Sequence, residues 1–283
     1  MYLKAHAKIN VVLNVVGKNS NNYHLLDMIV LPLELFDLIA INRISKKKDN
    51  VVRINDLESD ISNNICLKIS NLISQKYDIK KKYEFSIYKN IPMQSGLGGG
   101  SSDAAQIFKF YNKKFKLNIS NEEAIKMLSP IGSDIPFFLI NKPMRVQGIG
   151  EILTPIKVKN NYHVLIVKPQ KGLSTKDVYY ESDNVSLEVY DIDKAIMALE
   201  SGNDDILKDC IGNSLELPAS RLCPKIKEIK EYLIANNLPL TSMTGSGSAV
   251  FSLFKNFDEI KKIGEKLKSL NYEVIYTKII NEE

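Results

Sequence analysis

The sequence predicts an α+β protein of two domains, because strand-like and helix-like segments alternate in both halves of the chain. Its 283 residues are too many for one average domain and comfortable for two. The helix-rich pattern of the first half gives way to a new strand soon after Pro155. We therefore predict an N-terminal domain over residues 1–155 and a C-terminal domain over residues 156–283.

The first predicted element is a strand with alternating apolar and polar residues. Apolar residues occupy the odd positions from Leu3 to Val15, whereas Lys8, Asn10 and Asn14 fall at even positions. A period of two indicates a half-buried strand with one polar face. That face places Lys8 beside Asn10, and a lysine on the inner face of a strand is unusual.

The other elements follow from periodicity and from turn residues. A polar turn at residues 19–22 ends at Tyr23 and His24. The first half predicts strands at residues 30–41 (broken by Pro32), 51–54, 85–88, 137–140 and 145–146, and helices at residues 64–76, 103–115 and 122–128. The second half predicts strands at residues 163–167, 249–254 and 272–278, and helices at residues 193–199, 225–236 and 258–270.

Composition excludes several classes of protein. Hydrophobic residues make up 44% and charged residues 25%, so the chain can build a core and is not disordered. It has neither a run of about 18 apolar residues nor the pattern of a signal peptide. Cys66, Cys210 and Cys223 are far apart with no C-x-x-C pair, so we expect no disulfide, no cysteine zinc site and a reducing cytoplasm.

The net charge of +5 raises the question of nucleic-acid binding. Two short lysine runs lie at residues 46–48 and 80–82. Neither run contains interleaved aromatic residues or arginines, so we interpret both as solvated loops. A modest positive charge also helps to attract an anionic small substrate.

The strongest local signal is the glycine-rich run at residues 96–102, between a predicted strand and a predicted helix. Four of its first five residues are glycines, and Ser101 or Ser102 is the expected N-cap of the helix. A helix N-terminus with free backbone N–H groups is an anion site, usually for phosphate. The run fits neither a Walker A loop nor the dinucleotide fingerprint.

Two further stretches each allow two interpretations. Asp134 lies between Gly132 and the apolar run that begins at Ile135, and it is either a turn or cap residue or a partly desolvated base. Residues 244–248 form either a hairpin connection or a ligand loop. No cluster of histidines or carboxylates has metal-ligand spacing, so any Mg²⁺ should arrive with nucleotide phosphates.

Six stretches in a fixed order make a larger pattern: Ala7-Lys8-Ile9-Asn10, Tyr23-His24, residues 92–105, residues 132–138, Gly150-Glu151-Ile152-Leu153-Thr154-Pro155 and residues 245–251. This set resembles the galactokinase, homoserine kinase, mevalonate kinase and phosphomevalonate kinase (GHMP) superfamily. The resemblance runs from residue 5 to about residue 255. It implies a two-domain GHMP kinase with a ribosomal-protein-type N-terminal module, a ferredoxin-like α+β C-terminal domain and an active site in the cleft between them.

The resemblance also implies an activity. It is ATP-dependent phosphorylation of a small cytidyl diphosphate alcohol in non-mevalonate isoprenoid biosynthesis, by a monomer or weak homodimer without nucleic-acid or membrane partners. Asp134 matches the catalytic base and Lys8 its activating partner. The positions that match ATP-binding residues are Asn64, Lys89, Pro92, Gly96, Leu97, Gly98, Gly99, Gly100, Ser101 and Ser102. The positions that match substrate-binding residues are Asn10, Tyr23, His24, Thr175 and Tyr179, with the two tyrosines around the cytosine ring.

Two residues depart from the family pattern. Gln94 and Ser95 stand where the family has small residues, and Gln94 is strained if its position needs a positive φ.

Other functions also fit the sequence. A sister kinase could share the loops and use another alcohol, such as mevalonate or homoserine, although such a substrate has no base to stack. A basic nucleic-acid-binding module and a catalytically silent nucleotide-binding relative are two further hypotheses.

Overall fold

A computed structural model describes residues 1–45, 49–55, 57–58 and 64–281, so the lysine run at residues 46–48 lies outside the described residues. The strands are β1 (Tyr2–Lys18), β2 (His24–Ile44), β3 (Val51–Ile54), β4 (Leu57–Glu58), β5 (Lys82–Tyr88), β6 (Met144–Gly148), β7 (Ile152–Pro155), β8 (His163–Lys168), β9 (Gly212–Asn213), β10 (Thr241–Met243), β11 (Val250–Phe254) and β12 (Glu273–Lys278). The helices are α1 (Ile65–Lys76), α2 (Gly99–Lys114), α3 (Asn121–Leu128), α4 (Ile135–Ile140), α5 (Thr175–Ser182), α6 (Ile192–Ser201), α7 (Asp204–Cys210), α8 (Glu216–Leu222), α9 (Lys225–Ala235) and α10 (Asp258–Ser269).

The chain folds into two compact units that interleave along the sequence. The first unit comprises Met1–Ala7, Leu35–Pro92 and Gly98–Asn141, and the second comprises Lys8–Glu34, Met93–Leu97 and Lys142–Glu283. The long strands β1 and β2 each contribute residues to both units. Division of the chain at residue 155 stays a prediction.

In the first unit, helices cover a sheet built around β5. This strand pairs antiparallel with the end of β2 and parallel with β3, which in turn pairs with β4. Helix α2 packs against α1 and α4, and α4 packs against α3. Tyr83 and Phe85 of β5 meet Phe110 and Tyr111 of α2 edge to face, and this aromatic cluster fixes where α2 lies.

In the second unit, β8 lies at the centre of an antiparallel sheet with the order β10-β11-β8-β12. All five residues of β11 are buried. A second group of strands pairs β1 with β9 in parallel, β2 with β6 and β6 with β7. Helices and strands therefore mix in both units, which confirms the predicted α+β class.

Most predicted elements are confirmed, and the structure differs from the prediction in α4, β2 and β1. Residues 137–140, predicted as a strand, belong to helix α4, because a short apolar run has no periodicity that separates helix from strand and Pro136 suits a first helical turn. Strand β2 continues through Pro32, which falls between the stretches paired with β6 and β5, so its missing N–H interrupts neither ladder. Strand β1 was predicted to be half-buried, but from Lys8 to Asn14 its polar face is buried as well as its apolar face.

Candidate active site

The glycine-rich run places a helix N-terminus in the first unit. Helix α2 begins at Gly99, and Gly98 is its N-cap with φ +73°. The prediction that Ser101 or Ser102 caps the helix is wrong, because Gly98 adopts the left-handed conformation and both serines fall within the first turns. The first backbone N–H groups of a helix have no intrahelical acceptor, so this end attracts an anion.

The residues at this helix end fit a phosphate group. The Ser102 hydroxyl is buried, and no partner for it exists in the described part of the chain. A Cβ at Gly99 would lie 3.1 Å from the Lys89 amine, whereas a Cβ at Gly100 would meet nothing within 4 Å. An unpartnered buried hydroxyl beside open backbone is a suitable environment for phosphate oxygens.

Lys89 is held by two carboxylates of the first unit. Its amine pairs with Asp37 and lies 2.8 Å from Asp103, and all three side chains are almost entirely buried. Burial alone would lower the pKa of Lys89, but the two carboxylates outweigh it and raise that pKa. Burial raises the pKa of Asp103 to about 7 against the opposing effect of Lys89. Lys89 therefore anchors the N-terminal part of α2 through Asp103, and its contact with ATP stays a prediction.

Asn64 has a clear structural role as the N-cap of α1. Its side-chain oxygen accepts the backbone N–H groups of Cys66 at 2.9 Å and Leu67 at 3.2 Å. Its proximity to the adenine stays a prediction. Cys66, Cys210 and Cys223 are all buried free thiols.

Asp134 occupies the N-cap position of α4. Its backbone is close to helical, with φ −84° and ψ −12°, and its carboxylate makes no capping hydrogen bond. The residues that follow, Ile135 to Leu139, are all buried. The carboxylate is therefore not used as a helix cap, and its role as a proton acceptor stays a prediction.

Lys8 and Asn10 lie together on β1, as predicted. The Lys8 amine donates to Asn10 Oδ1 at 2.6 Å, and the lysine is only 3% exposed. Its backbone N–H donates to the carbonyl of Leu97 in the glycine-rich run at 3.1 Å. A buried lysine needs such partners, because an isolated ammonium in a protein interior is costly.

Residues 244–248 connect β10 to β11, so the hairpin interpretation is confirmed. This loop, which we call the hairpin loop, also packs backbone to backbone on the start of the glycine-rich run. A Cβ at Gly96 would collide with the carbonyl of Thr244, and the Ser248 N–H donates to the carbonyl of Gln94 at 3.3 Å. Gln94 has φ +52°, which is the strained left-handed conformation considered from the sequence.

A cluster of polar and aromatic side chains in the second unit contains two of the predicted substrate residues. The rings of His24 and Tyr179 are 4.7 Å apart at 33°. His24 Nε2 lies 2.8 Å from Asp183, which also accepts from Lys18 at 2.6 Å. Hydrogen bonds from Lys18 and His24 lower the pKa of Asp183.

The remaining substrate residues border this region along the chain. Tyr23 precedes His24 and is 63% exposed, so it offers an aromatic face to a ligand. The Thr175 hydroxyl lies 2.9 Å from that of Ser246 in the hairpin loop. The predicted site residues did not include Asp37, Asp103 or Asp183, which contact Lys89 or His24. Only Asp103 has a local sequence signal, because it follows the glycine-rich run.

The described residues contain neither a metal-binding cluster nor a membrane-spanning helix. No group of three or more His, Cys, Asp or Glu side chains there could hold a metal ion. No helix in the same residues is long and apolar enough to cross a bilayer.

Two models of GHMP kinase domains match this chain. The model of the GHMP kinases N terminal domain matches residues 64–142, and the GHMP kinases C terminal model matches residues 195–273. The chain belongs to the GHMP kinases, which use ATP. The two-domain GHMP kinase fold expected from the sequence is thereby confirmed.

Individual relatives share one name, 4-diphosphocytidyl-2-C-methyl-D-erythritol kinase. The protein of that name from Caldicellulosiruptor saccharolyticus is 34% identical over 284 residues, covering 100% of this chain and 98% of the relative. The one from Clostridium botulinum strain Hall is 36% identical over 288 residues, covering 99% and 100%. A crystal structure of 4-(cytidine 5'-diphospho)-2C-methyl-D-erythritol kinase superposes with a TM-score of 0.81 at 25% identity, and it covers both chains completely.

Proposed function

We propose that this chain transfers the γ-phosphoryl group of ATP to the 2-hydroxyl of 4-diphosphocytidyl-2-C-methyl-D-erythritol, giving the 2-phosphate and ADP. This is a step of non-mevalonate isoprenoid precursor biosynthesis. The observation that carries the proposal is the full-length similarity to kinases of that name, at 34% and 36% identity. The arrangement of Lys8, Asn10, His24 and Tyr179 in the second unit supports it.

The glycine-rich run binds the phosphates of ATP. The N–H groups of Gly99, Gly100 and Ser101 supply hydrogen bonds and the positive end of the α2 dipole. The buried Ser102 hydroxyl gains a partner when an oxygen ligand occupies this end. Mg²⁺ would arrive with the nucleotide and would supply positive charge to its phosphates.

The other ATP contacts that we propose follow the family pattern. Asn64 and Lys89 lie near the adenine end, while Pro92, Gly96, Leu97 and Gly98 shape the loop. The effect of Lys89 on ATP binding is indirect, because two carboxylates already bind its amine. It acts by anchoring the N-terminal part of α2.

Asp134 accepts the proton of the tertiary alcohol as that oxygen attacks. Its carboxylate is not used to cap α4, and general bases of this kind contribute about 10²–10⁴-fold to rate. Lys8 offsets the negative charge that develops as the alcohol loses its proton and attacks the phosphorus. Asn10 holds the lysine amine in place at 2.6 Å.

Tyr23 and Tyr179 stack on the cytosine ring, and His24, Asn10 and Thr175 bind the rest of the substrate. Stacking of a base on an aromatic side chain is worth roughly 1–3 kcal/mol. Asp183 holds His24 beside Tyr179, so the ring is ordered before the substrate arrives. An alcohol without a base gains nothing from this cluster, which disfavours a sister kinase for mevalonate or homoserine.

We propose a cytoplasmic monomer or weak homodimer without nucleic-acid partners, and three buried free thiols are consistent with a reducing compartment. A basic nucleic-acid module gives no reason for a buried Lys8–Asn10 pair.

A coupled ADP-release assay with Mg-ATP tests the proposal. The alcohols are the cytidyl diphosphate methylerythritol, mevalonate, phosphomevalonate and homoserine. ADP release with the first compound alone supports the proposed substrate. Release with another alcohol replaces the substrate and retains the kinase chemistry, whereas salt-sensitive RNA binding without any ADP release rejects the proposal.

A further inference from the structure

The hydroxyl of Thr244 lies at a junction between two functional segments. Thr244 is fully buried at the start of the hairpin loop. Its Oγ1 accepts the backbone N–H of Asn10 at 3.0 Å. Its own proton reaches either Asn10 Oδ1 at 3.3 Å or the carbonyl of Gly96 at 3.4 Å. One side chain thus bonds the strand that carries Lys8 and contacts the glycine-rich run.

The contacts of Asn10 show why this hydroxyl matters. A lysine amine has only donors, so the atom that it meets must be the amide oxygen of Asn10. The amide nitrogen then faces the sulfur of Met28 at 3.2 Å, and a thioether is a weak acceptor. Met28 therefore does little to fix the amide. Thr244 holds it from two sides, through the Asn10 backbone and through Oδ1.

Hydrogen bonds from Asn213 fix the backbone on both sides of Thr244. The side-chain nitrogen of Asn213 donates to the carbonyls of Met243 at 2.9 Å and Gly245 at 2.8 Å, on either side of Thr244. Asn213 is buried, and its oxygen accepts the backbone N–H of Leu215 at 2.9 Å. A Cβ at Gly245 would lie 3.3 Å from the Lys8 amine, so the hairpin loop borders that amine directly.

We propose that Thr244 is a positioning residue that fixes the Lys8 amine through Asn10. The proposal rests on the catalytic role of Lys8 proposed above. Thr244 is not itself a catalytic residue, since it contacts the residues that position Lys8. Loss of its hydroxyl lowers kcat because the Lys8 amine is then no longer held in place. Misplacement of a reacting group by about 1 Å costs up to about 100-fold in rate.

Thr244→Val removes the hydroxyl and keeps the shape of the side chain. We expect kcat with the cytidyl diphosphate methylerythritol to fall about 10- to 100-fold, with the KM for ATP changed less than about 2-fold. Thr244→Ser restores the hydroxyl and most of kcat. The matched control is Thr241→Val on β10, since that buried hydroxyl bonds Leu238 and Ser252 and contacts no predicted site residue. It leaves kcat unchanged. If the valine variant does not fold, Thr244→Ala takes its place.

A double variant separates positioning from general damage. If Thr244 acts through Lys8, Lys8→Ala and Lys8→Ala/Thr244→Val have the same kcat, because the lysine to be positioned is already gone. Losses that multiply in the double variant overturn the proposal, as does a kcat for Thr244→Val equal to that of Thr241→Val. A fully active Lys8→Ala variant overturns the role of Lys8 itself and the positioning role with it.

Discussion

Replacement of Lys89 by methionine should destabilise the first unit strongly. The change keeps most of the side-chain volume and removes the charge that Asp37 and Asp103 share. Their carboxylates are 0% and 3% exposed and cannot turn to water. Removing one partner of a buried ion pair costs about 3–5 kcal/mol. At a slope near 3 kcal/mol/M, this lowers the urea midpoint of unfolding by about 1–2 M.

The loss should depend on pH in a defined direction. The pKa of Asp103 is raised to about 7, so the folded state takes up a proton there that the unfolded state does not hold between about pH 4 and pH 7. Ionising Asp103 therefore weakens folding as the pH rises. Without the opposing charge of Lys89 this effect grows, so the deficit of Lys89→Met is larger at pH 8 than at pH 5.

Urea titration followed by circular dichroism measures the effect, with Lys80→Met as the matched control. Lys80 pairs with Asp78 in the same unit, but its side chain is 82% exposed. Exposed ion pairs contribute little, so the control should unfold like the parent. A Lys89→Met midpoint equal to that of Lys80→Met, or a deficit that grows on acidification, would contradict the stabilising role of the buried Lys89 ion pairs.

Three further predictions concern catalysis. Asp134→Asn lowers kcat by about 10²–10⁴-fold and leaves ATP affinity unchanged in a nucleotide titration, because only proton acceptance is lost. Lys8→Ala also lowers kcat, measured by ADP release, because the cation beside the reacting groups is gone. Tyr23→Ala raises the KM for the cytidyl substrate about 5- to 150-fold, the equivalent of roughly 1–3 kcal/mol of stacking, and leaves the KM for ATP unchanged; Tyr23→Phe keeps the ring and the parent KM.

Each of these predictions has a contradicting result. Near-normal turnover by Asp134→Asn would assign the base to another group, and an unchanged kcat for Lys8→Ala would remove the lysine from the mechanism. Equal increases in both KM values for Tyr23→Ala would indicate general damage to the protein in place of a lost stacking contact.

Much of the fold could be predicted because hydrophobic periodicity and turn residues are local properties of the sequence. The alternation of β1 and the spacing of α1 are visible in the residues themselves. The start of α2 was misplaced because serine caps are common, whereas Gly98 ends the loop by its conformation. Helix α4 was missed because its six residues are all apolar and too few to show a helical period.

The candidate site divides in the same way, between local and long-range pairs. Lys8 and Asn10 could be paired from the sequence, since two positions on one strand share a face. Lys89 and Asp37 are 52 positions apart, and His24 and Asp183 are 159 apart. Such pairs form only when tertiary structure brings their segments together, so no local pattern indicates them.

The identity of the product tests the central proposal most directly. The protein is incubated with Mg-ATP and the cytidyl diphosphate methylerythritol, and the mixture is examined by mass spectrometry and ³¹P NMR. We expect ADP and a substrate that carries one additional phosphate monoester on the tertiary 2-hydroxyl, and we expect neither product with Asp134→Asn. Release of ADP and inorganic phosphate with the alcohol unchanged, or a phosphate on another hydroxyl, would contradict it.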